Sequence, residues 1–132
     1  MPGFGQLLNG KYFKGIILIV LEVIINVQAH LNRVIQLSFQ GDIAGAVAET
    51  NYQWLLFYPC VYMFGIWDAY RDSRKDPGPL LHLPFVCAAF FSTVGLIYSP
   101  FLLGPVWLPI LFCFLGVAVG LVLRKWLPSA PE

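Results

Sequence analysis

Four long apolar runs dominate the chain, separated by polar stretches rich in glycine and proline. A bilayer core is about 30 Å thick, and a helix needs about 20 mostly apolar residues to cross it. The runs predict membrane-spanning helices over about 12–32, 52–70, 80–98 and 106–123. The predicted fold is all-α: a single integral membrane domain over 1–132, a polytopic bundle of four transmembrane helices. Pro59 lies inside the second run and should kink it, whereas Pro84 falls in the first turns of the third, where proline is tolerated. Between the first two runs, Asn32 to Asn51 makes an unusually long connection. There Gly41-Asp42 reads as a stop followed by an N-cap, opening a weak amphipathic helix over about 42–50 on the outer membrane surface. Extension of the flanking helices beyond the bilayer accounts for the same stretch equally well.

One carboxylate, Glu22, interrupts the first run. At about 100° per residue, Glu22, Asn26, His30 and Arg33 share one helix face. An acidic side chain at mid-bilayer costs roughly 2.5–3.5 kcal/mol on insertion scales, so this polar seam should face other helices or a watery cavity. Two readings follow. Intramembrane Glu and His residues mark proton and cation paths in transporters. Equally, Glu22 can be a hydrogen-bonded group that ties helices together through Tyr58, Tyr62, Ser92 or Thr93. Tyr58 and Tyr62, one turn apart on the second span, are the preferred partners.

Composition sharpens the membrane assignment. Of 132 residues, 58% are hydrophobic and only 11% charged, with mean hydropathy +0.73. Soluble domains carry about 25% charged residues, and a soluble core of this size has no room for so much apolar surface. The net charge of +1 and the lack of a basic patch give no sign of a nucleic-acid partner. The chain holds 8 Lys and Arg residues. In a four-span arrangement Lys11, Lys14, Arg71, Arg74, Lys75, Arg124 and Lys125 share one side, and Arg33 stands alone on the other. That bias predicts a multi-pass cell-membrane protein with both termini cytoplasmic. A three-span arrangement would split residues 71–75 from 124–125. Lys11 and Lys14 precede the first run with no small-residue cleavage site after it, which reads as an uncleaved anchor. Cys60, Cys87 and Cys113 lie far apart inside apolar runs, so neither a disulfide framework nor a metal site is expected.

Small residues and one ion pair carry the expected packing. Ala88, Ser92 and Gly95 form a stripe on the third span, and Gly116 and Gly120 make a GxxxG on the fourth. Such faces allow close backbone approach in lipid, either within the bundle or between two copies. Lys11 and Lys14 open the first span on the inner side, and Asp68 ends the second there. Antiparallel neighbours would pair Asp68 with one of the lysines and fix the helix register.

The opening Pro2-Gly3-Phe4-Gly5-Gln6, with Asn9-Gly10 and Lys14-Gly15 leading into an apolar run, resembles the start of the two-transmembrane-helix domain family. Trp67-Asp68-Ala69-Tyr70 resembles the Trp and Asp that end that family's second helix. The resemblance covers about the first half of the chain. It departs from the family in the long 32–51 connection, in Glu22 and in two further spans. It implies a small membrane protein of regulatory or accessory type.

No GxSxG, Walker loop, HExxH or paired-carboxylate motif occurs, and Ser92-Thr93 has no nearby base. His82 and Cys87 would point to different sides. The expectation is a non-catalytic helix bundle without cofactor, embedded in lipid and bound to another membrane protein or to itself. The alternative is a small proton-coupled transporter or ion conductor using Glu22, similar in length and span number to the small multidrug resistance transporters. Their short loops and weak charge bias differ from this chain.

Overall fold

A computed structural model describes residues 2–127, and among them the structure is helical with no strand. Eight helices follow in order: α1 (Phe4–Leu8), α2 (Tyr12–Gln28), α3 (Leu31–Phe39), α4 (Ile43–Glu49), α5 (Tyr52–Leu55), α6 (Tyr58–Asp72), α7 (Leu83–Tyr98) and α8 (Gly104–Trp126). Of these, only α8 is by itself long and apolar enough to cross a membrane. The pair α2 and α3 meets that test together but is bent by 61° at their junction, and α7 is a shorter apolar helix.

The boundaries differ from those expected at three places, each for a local reason. The first run does not continue to residue 32. His30 adopts a left-handed backbone, φ 56° and ψ 34°, and α3 starts afresh after it. A non-glycine residue rests there at a cost of about 1 kcal/mol or more. The His30 Nδ1 donates to the Glu49 carbonyl at 3.0 Å, tying this corner to the end of α4. The second run is split between α5 and α6, because Pro59 sits in the first turn of a new helix rather than kinking a continuous one. The 32–51 connection holds two helices rather than one. The amphipathic α3 buries Leu31, Val34, Leu37 and Ser38. After Gly41 at φ 83°, the Asp42 side chain caps α4 by accepting from the Gly45 N–H at 2.8 Å.

Two small apolar clusters hold these pieces together. Ala29, Leu31, Leu55 and Leu96 form one; Val34, Leu37, Ala46 and Val106 form the other. The second joins α3 and α4 to the start of α8, where Trp107 Nε1 also donates to the Ser38 carbonyl at 3.3 Å. The closest packing is between α7 and α8. A methyl group added at Gly116 would meet the Cys87 carbonyl and stand 2.7 Å from the Ala88 Cα, and one at Gly120 would strike Pro84. Gly95 faces Pro109 in the same seam, and Ala88 and Ser92 are buried in it. The small-residue faces thus pack against each other within one chain, with backbone as the neighbour.

The outer surfaces are apolar. Ile16, Ile17, Val20, Leu21, Ile24 and Val27 are exposed along α2, and Leu111, Phe114, Leu115 and Val122 along α8. We expect Gly116→Leu to lower the unfolding free energy in detergent by about 1–3 kcal/mol, because backbone cannot yield as a side chain can. Ala118→Leu, on the exposed side of the same helix, should change it by less than about 0.5 kcal/mol. Equal effects in a denaturant titration would contradict this account of the seam.

Candidate functional site

The densest polar arrangement sits where α1, the start of α2 and the end of α6 meet. Asp68 is 2% exposed. A carboxylate withdrawn from water costs several kcal/mol unless charges and donors replace the lost solvation. Three side chains do so. Lys14 Nζ lies 2.9 Å from both Asp68 carboxylate oxygens, Arg71 donates to Oδ1 at 2.9 Å, and Gln6 Nε2 donates to Oδ2 at 3.1 Å. Lys14 and Arg71 also reach Asp72, each at 3.2 Å.

Gln6 is the hinge of this cluster and is 1% exposed. Its Nε2 also donates to the Gly65 carbonyl at 2.8 Å, and its Oε1 accepts the Gly3 N–H at 3.1 Å. Each hydrogen bond of the amide goes to Gly3, Gly65 or Asp68. The glycines around it allow the approach. Gly3 has φ 98°, and a side chain there would strike the Gly15 carbonyl and Ile19. Gly5 lies against Ala69, and Gly65 lies against Pro2. Asn9 Nδ2 adds a bond to the Ala69 carbonyl at 2.9 Å. The PGFGQ stretch is therefore a short helix pressed onto both α2 and α6 and locked by one buried amide.

Asp68 and Lys14 are brought together, whereas Lys11 is exposed and makes no ion pair among the described residues. The Asp72 carboxyl is held below the ordinary carboxylate range, first by the Lys14 hydrogen bond and then, against the opposing effect of burial, by Arg71. Gln6, Asn9, Arg71 and Asp72 were not singled out from sequence as members of a site. The signal for Gln6 was present: a long polar side chain inside a glycine-framed motif.

The expected polar seam of the first span is divided. Glu22 is buried at 9% exposure on the inward face of α2, with Gly15, Leu18 and Ile25. The break after Gln28 turns His30 and Arg33 away from it. His30 bonds to Glu49, and exposed Arg33 donates to Gln36 at 3.2 Å. With Asn26 they line a polar hollow of about 330 Å³ at the end of the molecule opposite Asp68. Tyr58 and Tyr62 stack on each other, ring centroids 5.5 Å apart, and neither bonds to Glu22. The Glu22 Oε2 is buried without a hydrogen-bond partner among the described residues. No group of three metal-ligating side chains occurs among the described residues.

Comparison with protein-family models, curated proteins and solved structures finds no match to this chain.

Removing the Asp68 charge leaves Lys14 and Arg71 able to turn to solvent, since each side chain is already about two-fifths exposed. Asp68→Asn should therefore destabilise by about 1.5–3 kcal/mol, the range for hydrogen bonds to a charged group. A cycle with Lys14→Gln should show coupling of about 0.5–3 kcal/mol; additive losses would separate the two residues. Asp72 supplies the pH dependence. A carboxyl whose folded pKa is depressed contributes stability that is complete above its unfolded value, near 3.8, and lost as pH falls through the folded value. The stability difference between wild type and Asp72→Asn should hold steady down to about pH 5 and shrink below it. A difference that grows on acidification would contradict this arrangement.

Proposed function

We propose that this chain is a non-catalytic integral membrane protein of four crossings, made by α2, by α5 with α6, by α7 and by α8. It acts as an accessory or subunit-type bundle that docks against another membrane protein or a second copy. The supporting observation is the segregation of its surface. Apolar side chains face outward along α2, α6, α7 and α8. The Lys14–Asp68–Arg71 cluster occupies one end, and there Arg124 also donates to the Pro79 carbonyl at 3.3 Å. Arg33 lies at the other end, and the cationic end is assigned to the cytoplasm with both termini. An incomplete bundle favours docking. The α2 helix packs on α1 and α6 and leaves Ile17, Val20, Ile24 and Val27 uncovered. The resemblance to the two-transmembrane-helix domain family points the same way.

A second reading has one specific observation behind it. A carboxylate oxygen of Glu22 is buried without a partner among the described residues, which suits a site that takes up a proton or cation during transport.

Topology and role are tested separately. In a cysteine-free background, Ser73→Cys should be labelled by an impermeant maleimide only from the cytoplasmic side, and Ala48→Cys only from outside. Labelling of both from one side would end the four-crossing arrangement. Mild-detergent purification should then give a defined complex larger than the 14.8 kDa chain. A monomer that moves protons with a substrate in liposomes, and loses this in Glu22→Gln, would replace the accessory role with the transport reading.

A further inference from the structure

An open groove of about 620 Å³ runs between α6 and α7. Cys60, Met63 and Trp67 line it from α6, and His82, Ala89 and Thr93 mark its course along the other wall. Eleven residues separate His82 from Thr93, a rise of about 16 Å at 1.5 Å per residue. That is about half of a 30 Å hydrocarbon core. In the bilayer placement proposed above, on which this inference rests, the groove starts at the cytoplasmic face and ends near mid-membrane. Its depth is that of one leaflet.

The groove's mouth is cationic. The Arg71 guanidinium lies 4.5 Å from the centre of the Trp67 ring, itself part of the lining. The Arg74 guanidinium lies 4.6 Å from the centre of the Tyr70 ring, and that ring packs 6.2 Å from Phe85 on the opposite wall. Arg71 is engaged by Asp68 and Asp72. Arg74 and Lys75 are exposed and carry no ion pair among the described residues. Asp76 is the one acidic side chain beside them in the loop, and exposed His82 stands at the rim. An apolar slot one leaflet deep beneath cations free of ion pairs matches one chain of an anionic phospholipid, whose charge sits at the headgroup and each of whose chains is an apolar strand about one leaflet long. We infer that the α6–α7 groove holds an acyl chain of an anionic phospholipid from the cytoplasmic leaflet, with its phosphate at Arg74 and Lys75.

The test uses the full chain in nanodiscs with Trp54, Trp107 and Trp126 replaced by Phe, so that Trp67 alone reports on the groove. Phosphatidylglycerol and phosphatidylcholine are mixed equally, with one or the other brominated on its chains. Trp67 should be quenched by the anionic lipid with about 30-fold preference over the zwitterionic one, the factor expected from two cationic side chains at about fivefold each. Arg74→Gln should lower this to about fivefold, Arg74→Gln with Lys75→Gln should bring the two lipids to near parity, and Ala89→Phe, which fills the slot, should abolish the preference. Should Ala89→Phe fail to fold, the exposed Arg74 and Lys75 positions carry the test. Quenching in simple proportion to abundance would overturn the inference. So would shielding of Trp67 from both lipids, as a partner helix in the groove would cause. A companion variant with all four tryptophans replaced by Phe and Phe114→Trp, on the exposed face of α8, separates the two failures. If that indole is unquenched, the bilayer placement itself is wrong; if it is quenched by both lipids and Trp67 shows no preference, only the groove's occupant is.

Discussion

The buried Asp68 carboxylate is the constraint that the N-terminal half of the molecule is built to satisfy. A charge that is 2% exposed cannot be left to water, and the fold surrounds it with an ammonium, a guanidinium and an amide drawn from three helices. Each partner arrives from a different direction, so the register of α1 against α6 and of α2 against α6 is set by one group. A buried ion pair is weak grounds for net stability, because desolvation offsets most of the attraction. Its contribution is to penalise wrong registers: a slip of one turn would leave a buried charge without its donors. Against otherwise featureless apolar helices, which can slide past one another at little cost, that penalty defines the arrangement.

The C-terminal half solves the same problem without charge. Between α7 and α8, Gly95, Gly116 and Gly120 let backbone touch backbone, and register is set by where small residues coincide. In the bilayer placement proposed for this chain, apolar side chains would gain little by leaving one greasy surface for another, and close dispersion contact would carry more of the load. The two halves meet along α6 and α7, and again through α3 and α4, which fold back over the start of α8. Ile43 lies against Gly104 there, and Tyr52 and Ser99 share a hydrogen bond at 3.0 Å. The left-handed turn at His30 makes this fold-back possible, since a straight continuation of α2 would carry α3 away from α8.

Much of this was legible in the chain. The long apolar runs located the helical segments, the spacing of Gly116 and Gly120 located a packing face, and the positions of Lys14 and Asp68 suggested their meeting. Asp42 as an N-cap and Gly41 as a stop were readable from local chemistry alone. What escaped was decided by backbone breaks with no strong signal. His30 is no glycine, and nothing in QAHLNR marks a left-handed turn; the turn is held by a contact to Glu49, 19 residues away. That one break divided a seam that regular helical spacing had joined. The role of Gln6 was hidden for a related reason. Its value lies in Gly65 and Asp68, about sixty positions downstream, and helical periodicity reports only on neighbours three and four residues away.

The contrast between the two inward carboxylates bears on function. Asp68 is fully met by donors, and the demands of folding account for everything around it. Glu22 is held on the inward face of α2 with one oxygen lacking a partner among the described residues, in a helix whose other buried residues are glycine, leucine and isoleucine. A leucine at that position would avoid the cost of withdrawing an acid from water. Folding therefore offers no reason for a carboxyl there, and sites where local sequence works against local stability are where function is to be sought. An accessory bundle of the kind proposed can retain such a group for a donor supplied by its docking partner, while a transporter retains it for a proton or cation. Both uses need the same thing from the fold: a buried acceptor not engaged by the described residues, on a helix whose outer face is left free.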